Sequence, residues 1–316
     1  MTFKFIDLFC GLGGFRLAFE KNGGTCVFSS DIDAAVKKTY ALNFGISPKG
    51  DITKIIASDI PDHDVLCAGF PCQPFSTAGR RLGFEDTRGT LFFEVARILK
   101  EKKPICFILE NVKGLTNHDN GKTLNTIINT IQDLGYSCKY AILNAKNYNI
   151  PQNRERWYCI GIRMDSGIDI NNFKFPEPTE LKLKLHNIVE KKVESPDYII
   201  STTCKNNIQK HVELKGISVS DCTLAYDIRP SRCHFVLGDY SNCLTAKMGT
   251  GGSNVPVVIS QNRKLTEREC LRLMGFPEDY KIGKGSHAYK QIGNSVVVPI
   301  IYELAKELLR TCKLKN

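Results

Sequence analysis

Phe3-Lys4-Phe5-Ile6-Asp7-Leu8-Phe9-Cys10-Gly11-Leu12-Gly13-Gly14 is a short apolar run that breaks into glycines, and residues 15–20 behind it take up helical spacing. A strand, a glycine-rich turn and a helix N-terminus together make a nucleotide-binding device, because glycine lets a ligand lie close to the backbone. The turn lacks the Gly-x-Gly-x-x-Gly spacing expected for a dinucleotide pyrophosphate, which argues against a nicotinamide or flavin cofactor. The next strand pattern, 25–30, ends in Asp31, 18 residues beyond Gly13. An acid there commonly binds ribose hydroxyls. Asp51, in Gly50-Asp51-Ile52-Thr53, could accept from an adenine amino group. Each acid is equally readable as an ordinary cap or turn aspartate.

Residues 64–70 form a further apolar strand pattern, followed by Pro71-Cys72-Gln73-Pro74. In open α/β sheets reactive groups gather at the carboxyl ends of strands, and the two prolines keep Cys72 out of a hydrogen-bonded ladder. Cys72 is therefore a candidate nucleophile. Residues 104–112 read as a buried parallel strand ending in Glu110, at the same sheet edge. Glu110 is either a proton donor raised by desolvation or the cap of the following turn. A third pattern over 156–162 is preceded by Gln152-Asn153-Arg154-Glu155, so Arg154 and Arg156 are expected to enter the sheet together on one face. Either could bind a substrate carbonyl or pair with a surface acid.

These segments resemble the cytosine-5 DNA methyltransferase family, from end to end of the chain. Residues 7–15 look like its S-adenosylmethionine loop, 69–76 like its nucleophile motif, Glu110-Asn111-Val112 like its acid motif and 152–156 like its arginine motif. Residues 268–277 and 291–296 match two further blocks in the same order. The resemblance implies Cys72, Glu110, Arg154 and Arg156 as catalytic residues. It implies a cofactor, S-adenosyl-L-methionine, lined by Phe9, Gly11, Gly13, Asp31, Ile32, Asp51, Ile52, Leu91, Asn294 and Val296. In the family the ribose-binding acid is usually glutamate with an aromatic neighbour, where this chain has Asp31 and Ile32. The expected reaction is addition of the Cys72 thiolate to C6 of a cytosine, methylation at C5, and release of the thiol. A base inside a duplex is out of reach, so the target must be flipped out, with residues 76–88 as the loop that closes over it.

The implied partner is double-stranded DNA, contacted by Pro71, Ser76, Arg88, Arg229, Arg232, Lys247, Gly249, Gly251 and Gly252. Arg229 and Arg232 are candidate guanine readers, phosphate contacts or solvated surface residues, and the glycine-rich stretch 245–254 suits approach to base edges. An RNA methyltransferase of the tRNA branch would carry Cys-Phe-Thr, which is absent, and a catalytically silent relative would have lost Cys72 or Glu110. The family's Thr-Leu pair in the variable region appears as Cys243-Leu244.

Alternating strand and helix patterns over 1–165 argue for a doubly wound, mostly parallel α/β sheet of the Rossmann-like methyltransferase kind. Pro176-Glu177-Pro178 breaks that texture, placing a catalytic domain at 1–178 plus 285–316 and an inserted target-recognition domain at 179–284. A net charge of +10 suits a polyanionic partner, although residues 177–260 hold ten basic against nine acidic side chains, so the excess lies elsewhere. Thirteen cysteines without a Cys-x-x-Cys pair indicate neither a disulfide framework nor a metal site. With no signal peptide or membrane-length apolar run in view, the expectation is a cytoplasmic monomer with no membrane association, as in a type II restriction–modification system.

Overall fold

The computed structural model describes residues 2–71, 91–250 and 254–314. The chain divides into two compact units. The first comprises Met1–Leu143, Glu155–Glu177 and Ile300–Asn316, and the second Asn144–Arg154 and Pro178–Pro299. Besides the segment 179–284, the second unit thus takes in 144–154 and 285–299.

The first unit is built on β1 (Lys4–Leu8), β2 (Thr25–Ser30), β3 (Val65–Gly69), β4 (Cys106–Val112), β5 (Tyr136–Asn144) and β6 (Glu155–Arg163), in the spatial order β2-β1-β3-β4-β6-β5. The pairs β1/β2, β1/β3 and β3/β4 are parallel and β4/β6 is antiparallel. This is the expected doubly wound, mostly parallel sheet. Residues 65–68 of β3 and 106–109 of β4 are apolar and buried because both faces are covered, as parallel sheets require. Helix α1 (Gly14–Lys21) follows β1, α2 (Ala34–Phe44) follows β2, and α3 (Leu91–Lys102) precedes β4. Apolar residues at helical spacing, Phe92, Val95, Ala96 and Leu99, form the buried stripe of α3. In α4 (Lys122–Asp133) Leu124, Ile127 and Ile131 do the same, and these side chains share a core with Leu66, Phe107 and Trp157 of the strands.

The second unit contains a four-stranded antiparallel sheet in the order β10-β9-β7-β8, from β7 (Leu224–Tyr226), β8 (His234–Val236), β9 (Val257–Val258) and β10 (Arg263–Lys264). Beyond the short α5 (Leu185–Ile188), α6 (Thr202–Lys215) contributes Ile208 to a small core with Ala225, Ile228, Cys233 and Val257. Helix α7 (Glu267–Arg272) opens with a capping box, in which Thr266 Oγ1 accepts the Glu269 N–H and the Glu269 carboxylate accepts the Thr266 N–H. That carboxylate also receives the fully buried guanidinium of Arg263 through two bonds of 2.7 and 2.8 Å. The bidentate geometry satisfies two charges that would otherwise be costly to bury. Helix α8 (Ser286–Gly293) and α9 (Val298–Thr311) complete the chain.

The β4/β6 pairing sets Phe107 opposite Gly161, and a Cβ on that glycine would lie 2.1 Å from the Phe107 ring. The ring therefore fills the space a side chain would need. Gly161→Ala is expected to destabilise the protein by about 1–3 kcal/mol through overpacking, read as a lower urea midpoint with an unchanged slope.

Candidate active site

Strand β2 lies on one side of β1 and β3 on the other, so the winding direction reverses there and a crevice opens at the carboxyl ends of β1 and β3. Strand β4 runs parallel to them and ends at the same edge, while the antiparallel β6 begins there. The register pairs Glu110 with Gly69 on one side and Tyr158 on the other, and Val112 with Arg156. As a result Arg156 Nε lies 3.2 Å from Glu110 Oε1, both side chains being about seven-eighths buried, at 13% and 12% exposed. Partial shielding from water strengthens this attraction well beyond that of a surface pair. The Arg156 guanidinium also donates to the Glu155 carbonyl at 2.9 Å.

Asn111, next to the acid and nearly fully buried, donates from Nδ2 to the Phe70 carbonyl at 2.9 Å and accepts the Val112 N–H at Oδ1. It fixes the end of β3 two residues before Cys72. Sequence reasoning gave it no role of its own, and its signals there were its place in the Glu110-Asn111-Val112 motif and its position directly after Glu110. Cys72, Ser76 and Arg88 lie outside the described residues, as do Gly251 and Gly252. Pro71 is described and exposed.

The turn after β1 alternates through left-handed backbone at Phe9, Gly11 and Gly13, with φ of 55°, 51° and 72°. A Cβ on Gly11 would meet nothing nearer than the Phe9 carbonyl at 4.0 Å, so the space beside it is open. The N-cap of α1 is Gly13, which has no side chain with which to cap the helix. Beneath the turn, burial pushes the Asp7 carboxyl well above the usual carboxylate range, against the lowering effect of Arg16. Asp31, at the end of β2, accepts the Gly11 N–H at 3.0 Å and the Asp33 N–H at 2.9 Å, so it shapes the turn directly. Ile32 beside it is 74% exposed. Asp51 caps the 3-10 turn Ile52–Lys54 and accepts both the N–H and the hydroxyl of Thr53, bonds that hold its pKa below the usual range. Ile52 is buried, and Leu91 is the first residue of α3.

In the second unit Asn294 is the exposed C-cap of α8 and Val296 is buried. The expectation that Arg154 and Arg156 enter the sheet side by side is corrected here. Strand β6 begins at Glu155, and the Arg154 guanidinium, 2% exposed, donates to the carbonyls of Leu244, Gly293 and Ser295. Arg229 and Arg232 converge on one carboxylate, with Nε–O distances to Asp227 of 3.5 and 2.8 Å, and remain half exposed. Lys247 and Gly249 sit in the 3-10 turn Ala246–Thr250. Among the described residues no cluster of His, Cys, Asp and Glu could hold a metal ion, and no helix is long and apolar enough to cross a membrane.

The family model for C-5 cytosine-specific DNA methylases matches residues 3–310. The type II methyltransferase M.HhaI of Haemophilus parahaemolyticus is 42% identical over 307 residues, covering 96% of this chain and 93% of that protein. M1.ScrFI of Lactococcus lactis subsp. cremoris is 44% identical over 97% of this chain and 78% of its own length, and M.HpaII of Haemophilus parainfluenzae 44% over 97% and 89%. Among solved structures, the S. pombe Dnmt2 methyltransferase aligns over 98% of this chain and 99% of its own with a TM-score of 0.73 at 21% identity, a likeness of fold.

Asn111→Ala removes the donor that holds the Phe70 carbonyl, and is expected to lower unfolding stability by about 1–3 kcal/mol. Differential scanning calorimetry beside a surface control such as Asn117→Ala checks it.

Proposed function

The chain belongs to the C-5 cytosine-specific DNA methylase family, and from that premise we propose that Cys72 is the nucleophile that adds to C6 of a cytosine turned out of duplex DNA. The protein is a DNA cytosine-C5 methyltransferase, similar along nearly its whole length to type II modification enzymes. We assign it the modification role in a restriction–modification system, acting at a short specific site.

The observation that carries the mechanism is the Glu110–Arg156 pair, set by register beside the strand that leads to Cys72. A carbon–sulfur bond to C6 pushes electron density toward N3 and O2 of the cytosine. Glu110 donates its proton or a hydrogen bond at N3, and Arg156 donates to O2, so the charge that develops meets groups already in place. C5 thereby becomes nucleophilic. S-adenosylmethionine, when bound, supplies the methyl group. Loss of the C5 proton to water then breaks the bond from sulfur to C6, and the proton held at N3 goes back to Glu110, returning the thiolate and a neutral aromatic ring.

The residues after β1 and β2 fit that cofactor. Open space at Gly11 admits a ligand against the turn, and the uncapped end of α1 offers a positive dipole to its carboxylate. Asp31, at the end of β2 and against the Gly11 turn, is the acid we assign to the ribose hydroxyls. Ile32 presents an exposed apolar side chain to an adenine face, Asp51 is an ionised acceptor for the adenine amino group, and Ile52 and Leu91 are assigned to the same ligand.

Cys72→Ala is expected to abolish cytosine methylation in bisulfite sequencing of a mixed-sequence plasmid while DNA and cofactor binding persist. Glu110→Gln should keep binding and lower kcat by about 100- to 10,000-fold, the usual worth of a positioned acid. A Cys72→Ala protein that still methylates overturns the nucleophile assignment.

A further inference from the structure

The segment 151–154 lies alongside 241–244 in the second unit, with Ser241 N–H donating to Pro151 and Asn153 N–H to Ser241. From it two side chains grip one residue. Gln152 Oε1 accepts the Leu244 N–H at 2.9 Å, and Arg154 Nη1 donates to the Leu244 carbonyl at 2.5 Å. Gln152 is itself anchored, donating to the Leu273 carbonyl at 2.6 Å. The other Arg154 nitrogen, Nη2, reaches the end of α8, at 2.7 Å from the Ser295 carbonyl and 3.2 Å from that of Gly293. Three charge-assisted bonds to carbonyls are what make a buried guanidinium tolerable.

Leu244 directly precedes the glycine-rich stretch, and residues 245–249 run against α8 without clearance. A Cβ on Gly293 would lie 2.2 Å from the Thr245 carbonyl carbon. At the other end a Cβ on Gly249 would lie 2.5 Å from both the Ser286 carbonyl oxygen and Lys290 Cβ. Met248 points inward and is 2% exposed, while Thr245, Lys247 and Thr250 are exposed. Residues 244–250 are thus a preformed element on a helix, presenting an exposed polar face.

We propose that Arg154 is a positioning residue for DNA recognition, holding residues 244–250 in register on α8 so that their exposed face meets the DNA already ordered. The inference rests on the reading that this chain methylates a specific DNA site. A reader ordered before binding loses less conformational freedom on complex formation, so its disruption appears in affinity and site discrimination rather than in the chemical step.

Wild type, Arg154→Lys and Gly249→Ala are compared for steady-state methylation of cognate and single-mismatch duplexes, and for amide hydrogen exchange. Gly249→Ala displaces the same stretch without touching the guanidinium. Both variants are expected to raise KM for cognate DNA about 10- to 100-fold, the worth of one or two charge-assisted hydrogen bonds, to narrow the gap between cognate and mismatched duplexes, and to leave kcat at saturating DNA within about threefold. Arg154→Lys should speed exchange at 244–250 and 293–295 together. A 100-fold or larger loss of kcat with KM unchanged for Arg154→Lys would mean that the guanidinium acts on the reacting base, and the proposal falls. It falls equally if both folded variants keep wild-type KM and discrimination. Should Arg154→Lys fail to fold, Gly249→Ala decides alone by the same criteria. Failure of the wild-type protein to methylate any duplex would instead overturn the reading of function beneath the proposal.

Discussion

A carboxylate and a guanidinium at the end of β4 constrain the first unit more than any other pair of groups. Glu110 is nine-tenths buried, and a carboxyl so placed is tolerable only with a partner. That partner, Arg156, reaches it because β6 runs antiparallel to β4 with Val112 opposite Arg156. A slip of one residue between these strands would turn Arg156 to the opposite face and leave the acid unpaired. The fixed register in turn depends on the ring of Phe107 against Gly161 and on the apolar length of β4 between its two neighbours. The geometry of the acid is therefore a consequence of core packing several residues away.

The same logic, buried charge satisfied by obligatory geometry, recurs in the second unit with different groups. Arg263 meets the Glu269 carboxylate, which also holds the Thr266 and Glu190 N–H groups, so one acid ties the start of α7 to two neighbouring segments. Arg154 meets the carbonyls of Leu244, Gly293 and Ser295 and the Cys243 sulfur. A guanidinium whose donors end on backbone carbonyls keeps its full positive charge, and its role is to fix where chain segments lie. Arg156 faces a carboxylate at a strand end, where a reacting base could share its donors.

Much of this was legible in the sequence where a single local rule governs. The apolar runs of β1 to β4 and their order follow from the requirements of a two-sided sheet, and β2 covers the residues expected, 25–30. Thr266 and Glu269 announce their capping box by spacing alone. Legibility failed where one residue type serves two ends. Asp31 stood at the right place for a ligand, and nothing in its spacing says that the Gly11 and Asp33 amides also claim it. For Arg229 and Arg232 the choice between base reader, phosphate contact and solvated surface stayed open, and the carboxylate of Asp227, in left-handed backbone after β7, was invisible as their common partner. Asn111 makes a contact 41 residues back along the chain, to a carbonyl, and a carbonyl has no sequence signature.

The two arginines of the 152–156 motif show why the failure is physical. Side chains two apart share a face only when both residues sit in a ladder. The Arg154 N–H bonds to the Gln152 carbonyl and to Asn144 Oδ1, and its carbonyl accepts from Ala145, so its backbone belongs to a local turn. The ladder starts one residue later. From the turn, Arg154 is free of the strand's alternation and is committed to carbonyls that no pattern in the sequence marks, while Arg156, inside the ladder, is held to the acid. Identical side chains two residues apart thus acquire separate duties because a strand begins between them.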